Sequence, residues 1–129
     1  MSHFATVQTR ITDLACLKQA LADLGHAVEE GAADVRGYRG AREKADLVVR
    51  TGSAYDVGVR KVGDAYELVA DWWGVETGTG ITQEQFVTRL TQRYAYHKVL
   101  TEVRKRGFTV TEEQTQADQT IKVVVRKWS

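Results

Sequence analysis

The chain has 129 residues, 43 % of them hydrophobic and 27 % charged, the balance of one globular domain (1–129) rather than a disordered tract. Lysine and arginine total 18 against 17 aspartates and glutamates, a formal net charge of +1, so any pull towards nucleic acid or anionic lipid must come from a local patch. Cys16 is the lone cysteine, which rules out an intrachain disulfide and argues against a cysteine zinc site.

The opening MSHFATVQTRITDL lacks the apolar core of a signal peptide or anchor. No apolar run approaches the ~20 residues of a membrane span, so a cytoplasmic, membrane-free protein is expected. Ala5, Val7 and Ile11 alternate with Thr6, Gln8 and Arg10 as in a half-buried strand. His3 shares their parity and is expected on the core side. A helix follows from about Asp13 to Leu24, with Leu14, Leu17, Leu21 and Leu24 as its buried stripe and Gly25 as its stop. Cys16 lies off that stripe, towards its edge, with no adjacent base to make it a nucleophile.

His26 to Glu30 reads as a short strand, and residues 31–44, with three glycines and four basic side chains, as a long loop of the kind that is functional or mobile. Three strands then carry Ala45, Leu47 and Val49, then Tyr55, Val57 and Val59, then Tyr66, Leu68 and Ala70 inward. Thr51-Gly52-Ser53 and Gly63-Asp64 punctuate them as hairpin turns. Trp72 and Trp73 end the third strand, one facing in and one out, and Gly74–Gly80 is a flexible connection. The segment Thr82 to Arg106 opens with a capping box, Thr82 with Gln85, and stops at Gly107. Phe108 and Val110, a polar turn, and Ile121, Val123 and Val125 complete the chain as two strands. Two single-striped helices and about seven strands imply an α+β two-layer sandwich, its sheet mainly antiparallel and both helices on one face.

At ~100° per residue, Phe86, Leu90, Tyr94 and Leu100 share one face of the second helix. Arg93 and His97 point the same way, between Leu90 and Leu100, and form a candidate buried polar pair. An arginine there needs a carboxylate, with Asp71 and Asp46 as candidates. The pair reads either as a pocket in which Arg93 holds an anion and His97 acts as acid, base or ligand, or as a snorkelling arginine and a hydrogen-bonded core histidine. If the first strand lies under this helix, His3 and His97 could share a metal with Asp71 or Asp46, although no short-range ligand pair of a zinc motif is present.

The run Arg36-Gly37-Tyr38-Arg39-Gly40, followed by Arg42 and Lys44, is the candidate binding loop. Glycines admit close backbone approach, arginines fork onto phosphate or carboxylate, and Tyr38 can stack on a ring. The alternative is a solvated surface loop or, if the arginines are structural, a strand pinned to the sheet. Gly78 to Thr82 precedes a helix N-terminus but lacks the lysine and spacing of a P-loop. An outward member of Trp72 and Trp73 is a candidate partner contact, tryptophan being enriched at binding hot spots; Trp128 carries the same ambiguity. No serine elbow, His–Glu helix motif or triad is present, so no catalytic residue and no cofactor is assigned.

Several segments together resemble one family. They are the opening Met1-Ser2-His3-Phe4, LKQALADLG, Val35 to Gly40, Ala45-Asp46-Leu47-Val48, Tyr66 to Asp71, and Gln92-Arg93-Tyr94-Ala95-Tyr96-His97. This pattern resembles the hypothetical chloroplast reading frame thirty-five family, a domain of unknown function in plastids, cyanobacteria and other bacteria. The resemblance implies no activity. It implies an accessory role, relatives being encoded near an AAA+ ATPase and small ferredoxin-like proteins. The leading expectation is therefore a non-catalytic interaction module with a protein partner. A nucleic-acid or phosphate binder using Arg36, Tyr38, Arg39 and Arg42 comes second, and a metal protein or enzyme centred on His3, Arg93 and His97 third.

Overall fold

The computed structural model describes residues 3–116 and 121–127; Trp128 lies outside them. In chain order the elements are β1 (Ala5–Gln8), α1 (Leu14–Asp23), β2 (Ala27–Arg36), β3 (Arg42–Arg50), β4 (Asp56–Val62), β5 (Ala65–Ala70), α2 (Trp72–Thr79), α3 (Gln83–Lys105), β6 (Phe108–Thr115) and β7 (Ile121–Lys127). Strands β1 to β5 form one antiparallel sheet in the order β1-β5-β4-β3-β2, and β6 with β7 forms a separate two-stranded ribbon. The expected α+β class holds, but the seven strands split between two sheets, and a third helix, α2, replaces the connection expected at Gly74–Gly80.

Helices α1 and α3 share one face of the sheet. Leu17, Ala20 and Leu21 of α1 and Phe86, Leu90 and Tyr94 of α3 pack against Leu47, Val49, Val57, Val59, Leu68 and Ala70. Local chemistry sets both helix starts. Asp13 Oδ1 accepts the Cys16 N–H at 3.1 Å, and Thr82 with Gln85 closes a reciprocal capping box. The Tyr94 hydroxyl accepts the Thr12 and Asp13 N–H groups at 3.1 Å each, tying α3 to the start of α1. Cys16 is buried rather than at the edge of the stripe, its Sγ 3.7 Å from Thr101 Oγ1 on α3. The α1 stripe is shifted towards α3, and Leu14 and Leu24 are left half-buried.

The opposite face is closed by the sheet itself. Between Glu30 and Ala33 the β2–β3 register slips by one residue at a bulge containing Gly31 (φ 87°), which bends and twists the ladder. The far half of β2 thereby folds back over β4 and β5, strands it does not neighbour in the sheet. Val35, Ala45, Val48 and Val69 form a second apolar cluster there, with Phe4 and Ala33 at its margin. Ala45 thus belongs to this cluster, not to the helix-facing core expected for it. Gly58 makes the fold-back possible: a Cβ on it would overlap Val35, and would stand 2.8 Å from Val69 and 3.0 Å from Ala45.

Candidate functional site

The segment expected as a long basic loop is largely strand. β2 runs through Arg36, a 3-10 turn covers Tyr38–Gly40, and β3 starts at Arg42. Arg36 is not offered to a ligand. Its Nε and Nη2 donate to Asp56 Oδ2 and Oδ1 at 2.8 Å each, its backbone N–H donates to Oδ2 at 2.9 Å, and Nη2 also reaches the Ser53 carbonyl at 3.0 Å. Arg50 Nη1 donates to Asp56 Oδ2 at 2.7 Å and to the Asp34 carbonyl at 3.1 Å, while its other nitrogens meet Glu29. Asp56 has no exposed surface at all. Burial pushes its carboxyl up, but the Arg36 and Arg50 hydrogen bonds and charges outweigh that and hold it below the ordinary range. The carboxylate therefore locks the folded-back hairpin onto β4.

The hairpin tip is packed as well. Gly37 lies so close to Phe4 that a Cβ would come within 2.5 Å of the ring, Tyr38 meets Trp73 edge-on at 6.4 Å between centroids, and the Arg39 guanidinium stands 5.1 Å from the Tyr38 ring centroid. Arg39 (φ 52°), Gly40 and Arg42 are exposed. What remains for a ligand is thus two arginines at a tight turn, not an adaptable loop.

Arg93 and His97 do meet, between α1 and α3 rather than against the sheet. Their partner is Asp23, the last residue of α1. Its Oδ2 accepts from Arg93 Nε and Nη2 at 3.0 and 2.6 Å, and lies 2.5 Å from His97 Nε2. The expected acceptors are engaged elsewhere: Asp46 Oδ2 takes the Lys61 N–H, and Asp71 caps α2. The Asp23 carboxyl is raised by partial burial, yet the bonds and charges of Arg93 and His97 bring it below the ordinary range. Arg93 also covers the Tyr96 ring at 4.4 Å, and the Tyr96 hydroxyl meets Glu113 of β6. Arg93 and Asp23 each keep about a third of their side-chain surface (30 % and 31 %) and His97 keeps 14 %. The cluster is a half-exposed clasp joining α1, α3 and the ribbon. His3 is exposed and outside it. Among the described residues no three His, Cys, Asp or Glu side chains are arranged to hold a metal.

Trp72 and Trp73 open a helix instead of closing a strand. Asp71 Oδ1 accepts the Gly74 N–H at 3.3 Å and starts α2, and Gly74 has no room for a side chain because the Tyr55 ring lies against it. The expected split still appears, through helical rather than strand geometry. Trp72 is 8 % exposed and packs on Phe86 at a tilt, 5.9 Å between centroids, while Trp73 is 60 % exposed. Around them opens a groove of about 730 Å³ lined by Val7, Trp72, Trp73, Glu76, Glu84 and Val87, among others. It adjoins β1, whose outer edge pairs with no strand among the described residues. Beside it, the buried atoms Asp71 Oδ2 and Trp72 Nε1 have no hydrogen-bond partner among the described residues.

Sequence reasoning missed Asp56 and Asp23, and each had a signal. Arg50 and Asp56 flank one hairpin turn as an opposite-charge cross-strand pair. Asp23 ends a helix, where the macrodipole disfavours a carboxylate unless cations are near.

These features define a small antiparallel α+β protein with two arginine–carboxylate clusters and an open groove at the α2 corner. The family described as "Protein of unknown function (DUF1257)" matches residues 20–124. The "Uncharacterized protein ycf35" of Pyropia yezoensis is 32 % identical over 135 residues, covering 100 % of this chain and 99 % of the relative. That of Guillardia theta is 35 % identical over 136 residues, covering 99 % and 98 %. The same protein of Cyanophora paradoxa is 32 % identical over 130 residues, again covering 99 % and 98 %. The chain belongs to the DUF1257 family. No solved structure matches it, and no helix among the described residues is long and apolar enough to cross a membrane.

Proposed function

We propose that this protein is a non-catalytic accessory module of a multi-protein system, acting in the cytoplasm and making its partner contact with the α2 corner. The observation that carries the reading is Trp73, 60 % exposed on a helix start fixed by the Asp71 cap and by Tyr55 packed on Gly74. A large aromatic on a fixed helix start beside an open groove has less freedom to lose when a partner covers it, which suits a hot-spot tryptophan. The resemblance to relatives encoded near an AAA+ ATPase makes such an ATPase the first partner to look for. The basic-loop alternative is weakened because Arg36 is committed to Asp56.

The test is co-purification at native expression level, comparing wild type with Trp73→Ala. A partner recovered in stoichiometric amount with wild type and lost with the variant is expected. Melting should be unchanged within about 0.5 kcal/mol, as for ordinary surface substitutions. Equal recovery of the same proteins with both chains would refute the assignment of the contact.

A further inference from the structure

The groove at the α2 corner carries chemistry that selects its occupant. Glu76 of α2 and Glu84 of α3 line it together with the exposed Trp73. Neither glutamate pairs with a cation among the described residues, whereas elsewhere on the surface Lys18 pairs with Glu30, Lys44 with Asp34 and Arg60 with Glu67. An indole face with two unmatched carboxylates attracts an ammonium or guanidinium group, through the ring quadrupole and through charge. Val7 and Val87 supply the apolar walls along which the methylene stem of such a side chain lies.

The backbone beside the groove selects the shape of the occupant. β1 pairs with β5 on one side, Ala5 to Gln8 against Ala70 to Glu67, and its other edge is unpaired among the described residues. An unpaired edge is a template for an added strand, with main-chain hydrogen bonds giving affinity and flanking pockets reading alternate side chains. Val7 belongs both to that edge strand and to the groove, so a strand added to β1 places one of its side chains against Trp73. Trp72, whose buried indole N–H has no acceptor among the described residues, lines the same groove.

We infer that the groove binds an extended segment of a partner protein that pairs with β1 and sets a lysine or arginine side chain against Trp73, between Glu76 and Glu84. The inference rests on the reading of the α2 corner as the partner contact, and adds the occupant's charge and conformation. The full chain, labelled with ¹⁵N, is titrated to millimolar concentration with three short peptides of alternating valine and lysine, valine and glutamine, or valine and glutamate. The Trp73 indole resonance is assigned from Trp73→Phe. The lysine peptide is expected to shift that resonance and the amides of Ala5 to Gln8, with an affinity that falls as salt rises. Replacing both Glu76 and Glu84 by glutamine should weaken it by about fivefold, the effect of two exposed charge pairs. If the glutamine or glutamate peptide produces the same shifts with the same affinity, the charge selection is overturned while the groove remains a contact. If no peptide moves Trp73 or β1, both the inference and the assignment of the contact to this corner are overturned.

Discussion

Replacing Asp56 by alanine should be among the most damaging single changes to this protein. Four hydrogen bonds converge on the carboxylate at 2.7 to 2.9 Å, three of them from guanidinium groups. Its loss strands the Arg36 N–H and leaves the Arg36 side chain only the Ser53 carbonyl, whereas Arg50 retains Glu29 and the Asp34 carbonyl. Breaking a buried charged pair costs ~3–5 kcal/mol. The low end applies because Arg36 and Arg50 keep 38 % and 31 % of their side-chain surface and can regain water, so about 3 kcal/mol is expected, or a melting point lower by about 10 °C. The pH dependence has a definite sign. A folded-state carboxyl held below its unfolded value of ~3.9 contributes fully above that value and loses its contribution as pH falls through the folded value. Wild type should therefore lose more stability on acidification below about pH 4 than Asp56→Ala does. Urea unfolding followed by circular dichroism at neutral and acid pH measures both effects. Asp46→Ala is the control, since Asp46 accepts one exposed backbone bond. Equal unfolding midpoints for the two variants would show that the Asp56 network contributes nothing beyond a surface contact.

The half-exposed clasp sets a smaller effect at Arg93: Arg93→Ala should cost about 1–2 kcal/mol, less than a fully buried pair, and still more than Lys98→Ala, whose ammonium lies 3.6 Å from Asp13; equal thermal midpoints would show the clasp to be idle. Gly58→Ala should destabilise by about 1–3 kcal/mol through overpacking under Val35 and Val69, and should be relieved by Val35→Ala in a double-mutant cycle; additive losses would contradict the fold-back. Tyr38→Ala should leave stability within about 1 kcal/mol while freeing the Trp73 ring, seen as sharpening of the Trp73 indole resonance; an unchanged line would mean that the edge-on contact does not hold the ring.

Periodicity made the helix-facing core legible. The Phe86, Leu90, Tyr94, Leu100 stripe and the alternation of Leu47 and Val49, Val57 and Val59, and Leu68 and Ala70 are all buried as read, because a face that must leave water imposes its period on the chain. The basic segment misled for a physical reason. Gly31, Gly37 and Gly40 resemble loop punctuation, yet one serves a bulge, one admits Phe4 and one turns a hairpin. The arginine between them is polar in composition and interior in role, which only the distant Asp56 reveals. The same holds for α2. Gly74 breaks the helical signal, and its requirement comes from Tyr55, nineteen positions earlier in the chain. Arg93 lies beside His97, partly exposed rather than buried, and its carboxylate comes from the other helix rather than from a strand, since the packing of α1 on α3 is not encoded in either segment alone.

The two regions that carry most of the chain's unusual residues are mechanically one. Asp56 fixes Arg36 at the end of β2, the turn after Arg36 puts Gly37 on Phe4 immediately before β1, and Tyr38 reaches Trp73. The hairpin tip thus touches both walls of the α2 corner: the start of the edge strand and the exposed indole. A carboxylate with no exposed surface thereby sets the position of a surface tryptophan two contacts away. Rigidity of this kind is what a contact residue needs, because each side chain already ordered before binding removes about 0.5–1.5 kcal/mol of ordering cost from the encounter. Arg36 and Arg50 hold the corner in place from behind through Asp56, and on the inference above the acidic groove in front of it takes a cation supplied by another protein.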